Sequence, residues 1–327
     1  MAGFLLRRLS YLVCLVLLSS AVAYLLAATQ LRPRARYESR SPRPPEAVVD
    51  AALDAINMND KVPVLARFRH WAGGVVRGDL GRTVDNQPVN DEIGRRVWVS
   101  LRMVVVGSLV GTLLGIAAGA YGAVKQYQLS DRFLTVFSFV VLSIPTVVLG
   151  VLFKNAGIGL NRALGFRLLY TTGEITPGVD PWSWAGLVNR CAHLVLPSMV
   201  LVVIAVAFYG RYQRSAMLDV LGSDFLRTAR AKGLSRPRAL VKHGLRTALI
   251  PMATFFAYEF ALLFVGATFT EKLFGWHGMG EYFVDSVTKN DVNSVAGVTL
   301  FVGVLVLIAG VLSEDRKSTR LNSSHRT

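Results

Sequence analysis

One carboxylate stands out among the residues that could do chemistry, because it lies deep inside an apolar run. Glu259 is near the middle of residues 248–269, which are long and apolar enough to cross a membrane. An ionisable side chain at that depth costs about 2.5–3.5 kcal/mol on insertion scales and usually faces a cavity or a partner. Two interpretations stay open. Glu259 either lines a translocation path or binds a proton, or it is a neutral or paired side chain between helices.

The remaining motifs give no support for catalysis or metal binding. Cys14 and Cys191 form neither a metal motif nor a disulfide framework. The sequence has no nucleophile elbow, no zinc-protease motif and no G-x-x-x-x-G-K-[ST] phosphate loop. We therefore predict no enzyme activity and no cofactor or metal on this chain; if ATP is used, another chain binds it. The histidines are scattered, and no two have metal-ligand spacing: His70, His193, His243, His277 and His325.

The most basic stretch is residues 224–251, in which eight Arg, Lys and His residues stand against a single acid, Asp224. Apolar runs flank it, and positively charged loops between spans are retained in the cytoplasm. We expect Asp224 to cap one helix, Gly233 to break it, and Ser235 to cap a second helix that begins with Arg236-Pro237. We call this helix, the turn at Gly233 and the second helix the bracket. Its form predicts a docking site for another protein; the alternative is a solvated amphipathic loop lying against lipid.

Composition places the chain in the membrane class. Of its 327 residues, 52% are hydrophobic and 17% are charged, with a mean hydropathy of +0.43, whereas soluble domains average about a quarter charged. The formal net charge is +15, but the basic residues lie between apolar runs and form no continuous soluble face. That distribution excludes nucleic acid as the partner and favours membrane lipid and a cytoplasmic protein.

Six apolar runs have about the length that crosses the hydrocarbon core: residues 9–28, 103–124, 133–153, 191–212, 248–269 and 292–312. The first resembles a signal peptide, but because further spans follow we predict an uncleaved helix. The sequence thus predicts an all-α polytopic membrane protein with six transmembrane helices and cytoplasmic N and C termini. Residues 30–98, 154–190 and 270–291 are predicted to lie outside, with short amphipathic helices at 47–57 and 64–76.

Two features inside the predicted spans bear on packing. Gly107, Gly111, Gly115 and Gly119 recur every fourth residue and therefore line one helix face, where small residues let another backbone approach. We favour packing within one bundle over a dimer contact at this face. Pro145 lies inside the third span and is expected to bend it.

Three groups of motifs carry a resemblance to a known family. Residues 227–234 (RTARAKGL) and 243–251 (HGLRTALIP) resemble the cytoplasmic EAA loop of ABC importer permeases of the oligopeptide/dipeptide branch, with Arg227 in place of the glutamate of that name. Residues 77–83 (RGDLGRT) with 87–89 (QPV) resemble the first external loop of that branch, and residues 271–280 (EKLFGWHGMG) resemble its loop after the fifth helix. The likeness runs in register from about residue 5 to 315, and it is strongest to the B-type permease subunit.

The resemblance implies a type I (MetI-like) importer permease in a bacterial inner membrane, forming the path for peptides. It implies a heterodimer with a paralogous permease, two ATPase subunits or domains that bind ATP-Mg, and an external substrate-binding protein. The translocation path would include Glu259 and Pro145, and an external loop would include Trp276, Gly278 and Gly280. Residues 213–250 would form the coupling loop, which sits in a groove of the ATPase through Asp224, Arg227, Ala229, Arg230, Lys232, Gly233 and Leu234.

The same resemblance divides the chain into residues 1–29 with the first helix, an external region at 30–98, a five-helix core at 99–315 and a polar tail at 316–327. Two stretches depart from the family pattern. Residues 32–45 are basic and Pro-rich where the family has a Pro-Gly-Asp-Pro-like turn, so contacts to the binding protein there stay open. Residues 316–327 stand where the family usually has an aromatic residue and an Asp-Pro-Arg ending. We interpret this tail as adapter-derived or misassembled sequence.

The alternative function is an ion- or proton-coupled secondary transporter that uses Glu259, and a third is a membrane scaffold that transports nothing. Secondary transporters often contain inverted repeats with broken helices at matched positions. We find no such repeat in the sequence, and the basic loop would have no role in that function. Because cargo selection in such importers lies mainly with the binding protein, oligopeptides, dipeptides, glutathione-like substrates and nickel chelates all stay open.

Overall fold

The computed structural model describes residues 2–250, 252, 255–256 and 267–321, and the regular structure within these ranges is helical apart from one isolated antiparallel bridge between Arg82 and Pro88. The helices are α1 (Ala2–Gln30), α2 (Ala35–Glu38), α3 (Glu46–Ala55), α4 (Val64–Val76), α5 (Val89–Val124), α6 (Leu129–Ser143), α7 (Thr146–Leu164), α8 (Trp184–Leu221), α9 (Asp224–Ala231), α10 (Arg236–Ala239), α11 (Thr268–Phe274), α12 (Met279–Thr288) and α13 (Val292–Leu321). A π-helical turn, Leu240–Leu245, follows α10 directly and leads into helical residues 246–250.

Among the described residues, four stretches are long and apolar enough to cross a membrane: Ser10–Glu38, which overlaps most of α1, and the helices α5, α7 and α8. Helix α13 contains a shorter apolar stretch, Val292–Ile308. Helices α5 and α8 are longer than the apolar runs at 103–124 and 191–212, because each continues as a polar helix beyond the run. The predicted fifth span, residues 248–269, lies mostly outside the described residues. So does Glu259.

The predicted third span is wrong as a single bent helix. Helix α6 ends at Ser143, α7 begins at Thr146, and the two residues between them, Ile144 and Pro145, have extended backbone with ψ near 127° and 140°. Proline disfavours helical backbone at the residue before it and has no N–H to donate. Pro145 therefore ends one helix and precedes the next, where its carbonyl accepts the amide of Val148 at 2.9 Å.

The segments predicted to lie outside are more helical than expected. The two amphipathic helices are confirmed as α3 and α4, each preceded by a proline. Residues 270–291, predicted as a short loop, instead contain most of α11 and all of α12. Both helices contribute large buried side chains, among them Phe274, Met279 and Tyr282. Burial of such apolar surface stabilises short helices that local propensity alone would not.

The chain divides into two compact units, and the first contains α1–α4, α5 up to Ser100, α12 and α13 as far as Val311. Its core packs Tyr24 and Trp71 with their rings 4.9 Å apart, together with Leu53, Met58 and Val292. The basic, Pro-rich stretch is used for ion pairing inside this unit.

Three ion pairs tie the basic stretch to its neighbours in the first unit. Arg34 contacts Asp50 and Asp60 at 2.6 Å each, and Arg36 contacts Asp85 at 2.5 Å. The Arg34 guanidinium, hydrogen-bonded to Asp60, holds the pKa of that carboxyl below its usual value, and Arg36 does the same for Asp85. The positive charge of residues 32–45 is therefore partly neutralised locally.

The second unit contains the rest of α5, helices α6–α10 and most of α11, and in it α5 lies close against α8. A Cβ atom on Gly107 would stand 2.7 Å from Leu201 Cβ, and one on Gly111 would stand 2.6 Å from Ala205 Cβ. At Gly119 it would stand 2.3 Å from the carbonyl oxygen of Gly210. The prediction that this glycine face packs within one chain is confirmed, because Gly107, Gly111, Gly115 and Gly119 lie against α8 of the same chain. Their missing side chains let the backbones of α5 and α8 approach each other.

Candidate docking loop and translocation residues

The basic stretch folds as a helix, a glycine turn and a second short helix, as its sequence predicts. Helix α9 ends in a turn in which the amide of Leu234 donates to Ala229 O at 3.2 Å and that of Gly233 donates to Arg230 O at 3.0 Å. This pair of bonds is the Schellman motif, which needs left-handed backbone at its turning residue. Gly233 has φ +90° and supplies that conformation without a steric penalty.

The apolar side of this bracket packs onto the end of α8. Leu226 of α9 and Ala239 of α10 are buried in a cluster with Met217 and Val220 of α8. Ala229 and Leu234 are half-buried against the same cluster. Burial of these side chains anchors both short helices to α8, which has 38 residues. The bracket is therefore packed against the second unit and is not a free loop.

The polar side of the bracket is exposed and basic. Arg227, Arg230 and Lys232 are exposed to solvent, and Arg227 contacts Asp224 at 3.5 Å. Both side chains of that pair are largely exposed, at 76% and 94%, so it contributes little. Gly233 is exposed as well, and a Cβ there would meet none of the described atoms within 4 Å.

The predicted capping by Asp224 is wrong. Asp224 is the first residue of α9, the N-cap position belongs to Ser223, and neither that serine nor Ser235 before α10 makes a side-chain capping bond. The Asp224 carboxylate instead lies in the first helical turn, where a negative charge interacts favourably with the helix dipole. Pro237 lies at the start of α10, as expected from its lack of an N–H.

A cavity of about 340 Å³ opens beside the bracket. Its apolar wall includes Leu226 and Leu240, while Arg227, Arg230 and Arg236 supply the charge. The three guanidinium groups around an apolar floor suit a partner that carries both carboxylates and apolar side chains.

An ion pair that the sequence did not reveal braces the helix that carries the bracket. Asp131 at the start of α6 accepts from Arg214 of α8 through both oxygens, at 2.5 and 2.8 Å. Its side chain is 3% exposed and that of Arg214 is 27% exposed. The amide of Tyr127 also donates to Asp131 at 2.9 Å, and the missing side chain of Gly122 leaves room for the carboxylate.

The guanidinium of Arg214, hydrogen-bonded to Asp131, holds the pKa of that carboxyl below its usual value. Because the folded pKa is depressed, the ion pair stabilises the fold above the ordinary aspartate pKa and loses its contribution as the pH falls through the folded value. No sequence rule pairs residues 83 positions apart. The sequence shows only that Asp131 lies just before one apolar run and that Arg214 lies just after another.

The other predicted site residues serve packing or lie outside the described part of the chain. Glu259 is outside it, and Pro145 separates α6 from α7. Trp276 is buried within the second unit. In the first unit, Gly278 is the N-cap of α12, and a Cβ on Gly280 would come within 2.6 Å of Thr268 Cα. Across the described residues there is no cluster of His, Cys, Asp or Glu that could hold a metal ion.

We predict that Arg214→Met destabilises the protein by on the order of 3 kcal/mol, because it leaves the buried Asp131 carboxylate without its cation. The loss should appear as a lower melting temperature of the purified protein in detergent or nanodiscs. The double variant Asp131→Leu, Arg214→Met should recover most of it, since it removes both charges together. A single variant that melts like the wild type would show that the pair does not brace α8.

Comparison with known proteins places this geometry in context. Residues 111–314 match the family described as binding-protein-dependent transport system inner membrane component. The oligopeptide transport system permease protein OppB of Mycobacterium tuberculosis (strain ATCC 25618 / H37Rv) is 51% identical over 314 residues, covering 96% of each chain. The oligopeptide transport system permease protein AppB of Bacillus subtilis (strain 168) is 32% identical over 276 residues, covering 84% of each.

A solved structure of the MetNI methionine ABC transporter in an inward-facing conformation is similar in fold, with a TM-score of 0.50 at 18% identity. It covers 68% of this chain and 93% of that chain. At this level of identity the similarity concerns the fold alone, and it agrees with a helical permease architecture.

Proposed function

This chain belongs to the family of binding-protein-dependent transport system inner membrane components, and from that premise we propose that it is the membrane subunit through which an ATP-driven importer moves peptides. Its role is that of a permease, and its relatives are permease subunits rather than enzymes. The observation that carries the peptide assignment is the 51% identity, over 96% of both chains, to a permease named for oligopeptide transport.

The bracket formed by α9, Gly233 and α10 is our candidate for the site that couples ATP hydrolysis on a partner subunit to movement of this chain. It presents exposed basic residues on one side and is anchored to α8 by buried apolar residues on the other. A partner that pushes on Gly233 and its neighbours would therefore move α8 with it, since packed helices shift as rigid elements. The proposed contact residues are Asp224, Arg227, Ala229, Arg230, Lys232, Gly233 and Leu234.

The proposed assembly has four further components. A paralogous permease would complete the path as a heterodimer, two ATPase subunits or domains would bind ATP-Mg, and an external binding protein would deliver the peptide. We propose a six-helix, multi-pass arrangement in the bacterial inner membrane with both termini in the cytoplasm. The basic charge of residues 224–251 supports a cytoplasmic location for the bracket.

Gly233→Val should abolish peptide uptake while membrane insertion stays intact. A β-branched residue does not adopt φ +90° without strain, so the Schellman turn opens and α10 changes direction. We expect uptake of a labelled peptide and peptide-stimulated ATP hydrolysis to fall by roughly tenfold or more in proteoliposomes that contain the full complex.

Two matched variants separate the turn from a general effect of substitution. Gly233→Asn should keep most of the uptake, because Asn tolerates left-handed backbone better than other side chains. Gly222→Ala in the same segment should also keep it, since Gly222 has an ordinary φ of −83°. Uptake at the wild-type rate in Gly233→Val would refute coupling through this bracket.

Glu259 is proposed to line the translocation path as a polar group, which fits its place in an apolar run. The isosteric Glu259→Gln keeps the polar atoms and removes the charge, so we expect it to retain most of the uptake at every pH between 6 and 8. The measurement compares the uptake rates of the wild type and the Glu259→Gln variant across that pH range. Complete loss of transport with an altered pH profile would contradict this role and indicate proton coupling instead.

A further inference from the structure

A cavity of about 200 Å³ lies between α5, α6 and α8 in the second unit, beside the end of α8 that carries the bracket. Most of its wall is apolar, and the residues that form it include Ala118, Leu134, Phe137, Phe139, Val206 and Leu218. The cavity is smaller than the roughly 300–1,000 Å³ of ordinary small-molecule sites, so it has room for one part of a larger molecule. Its apolar wall suits a hydrocarbon chain.

Arg211 of α8 supplies a positive charge to this cavity. Its side chain is exposed and lines the cavity, and its guanidinium lies 5.6 Å from the ring centre of Phe139 and 5.9 Å from that of Tyr212. No carboxylate of the described residues pairs with it. Contact with the face of a ring leaves the N–H donors at the edge of the guanidinium free. Arg211 can therefore still bind an anion.

Arg214 is the other charged residue among the described residues that line the cavity. It donates to Asp131 through Nε at 2.5 Å and through Nη2 at 2.8 Å, so these two charges neutralise each other. Thr135 and Ser215 add hydroxyl groups to the wall. The cavity thus combines the uncompensated charge of Arg211 with hydroxyl donors and a larger apolar surface.

The position of Arg211 along α8 indicates its depth in a bilayer. It is the last residue but one of the apolar run 191–212, and α8 continues beyond that run as a polar helix to Leu221. Long cationic side chains at the ends of spans extend to the lipid headgroups. Helix α6 also exposes Phe133 and Val136, an apolar surface that suits contact with acyl chains. Basic pockets between helices at this depth bind anionic headgroups.

We propose that an anionic phospholipid of the leaflet next to the bracket binds here, with its phosphate on Arg211 and one acyl chain in the cavity. Guanidinium and phosphate match in geometry, because two parallel N–H groups can donate to two phosphate oxygens. The apolar wall favours a lipid over a free phosphate ion, which has no group to place against it. The proposal requires only that this bundle lies in a bilayer, so it does not depend on the cargo or on how ATP is coupled.

The test is photo-labelling of the assembled transporter in phosphatidylcholine nanodiscs that contain a small fraction of phosphatidylglycerol with a diazirine in one acyl chain. Peptide mass spectrometry should find saturable adducts within residues 134–139 and 206–218, and unlabelled phosphatidylglycerol should compete for them. Arg211→Gln removes the phosphate partner, so it should lower the adduct yield by about tenfold. Arg132→Gln removes an exposed arginine at the start of α6, outside the cavity, and should label like the wild type.

Two further comparisons separate a lipid site from general contact with lipid. Phosphatidylcholine with the same diazirine chain should give a much lower yield at these residues, because its headgroup carries no net charge. Ala118→Leu fills part of the cavity without changing any charge and should also lower the yield, at an unchanged melting temperature. The proposal is overturned if the assembled complex gives no adduct at these residues, if phosphatidylcholine labels them equally, if Arg211→Gln labels like the wild type, or if Arg132→Gln loses as much.

Discussion

The close approach of α5 and α8 is the contact on which the second unit depends. Four glycines at every fourth position of α5 remove the side chains that would keep the two backbones apart, and at Gly119 even a methyl group would overlap the carbonyl of Gly210. In a lipid environment, apolar side chains gain little by leaving lipid for a protein neighbour, so close van der Waals contact between helices becomes the main source of association. A single larger side chain on this face would push α5 and α8 apart.

Everything proposed for coupling follows from the position of α8. Its far end carries the cluster of Met217 and Val220 that seats α9 and α10, and the ion pair of Asp131 with Arg214 ties the same stretch to α6. A displacement of the exposed basic bracket would therefore be transmitted directly to α8, and from α8 to α6. A partner can contact the exposed Gly233 turn and the basic residues beside it without displacing a packed side chain.

Apolar run length predicted α1, α5 and α8, because the requirement to satisfy backbone groups in lipid leaves little choice of structure. It did not predict α7 as a separate apolar helix, because Pro145 divides the third run. Local capping rules did worse: the break at Gly233 was predicted, since its physics is local, but the caps at Asp224 and Ser235 were not formed. Pro145 was expected to bend a helix and instead separates two. The Asp131–Arg214 pair could not be predicted from the sequence, because only tertiary packing brings its two residues together.

The most direct test of the central claim is a photo-cross-linking measurement on the assembled transporter. A benzoylphenylalanine at Lys232, beside the Gly233 turn, should form a covalent adduct with the ATPase subunit on irradiation, and its yield should change when ATP is added. The same photoreactive residue at the exposed Val76 in the first unit serves as the control and should give no such adduct. Adducts to lipid alone at position 232, or an ATPase adduct equal to that at position 76, would contradict the account.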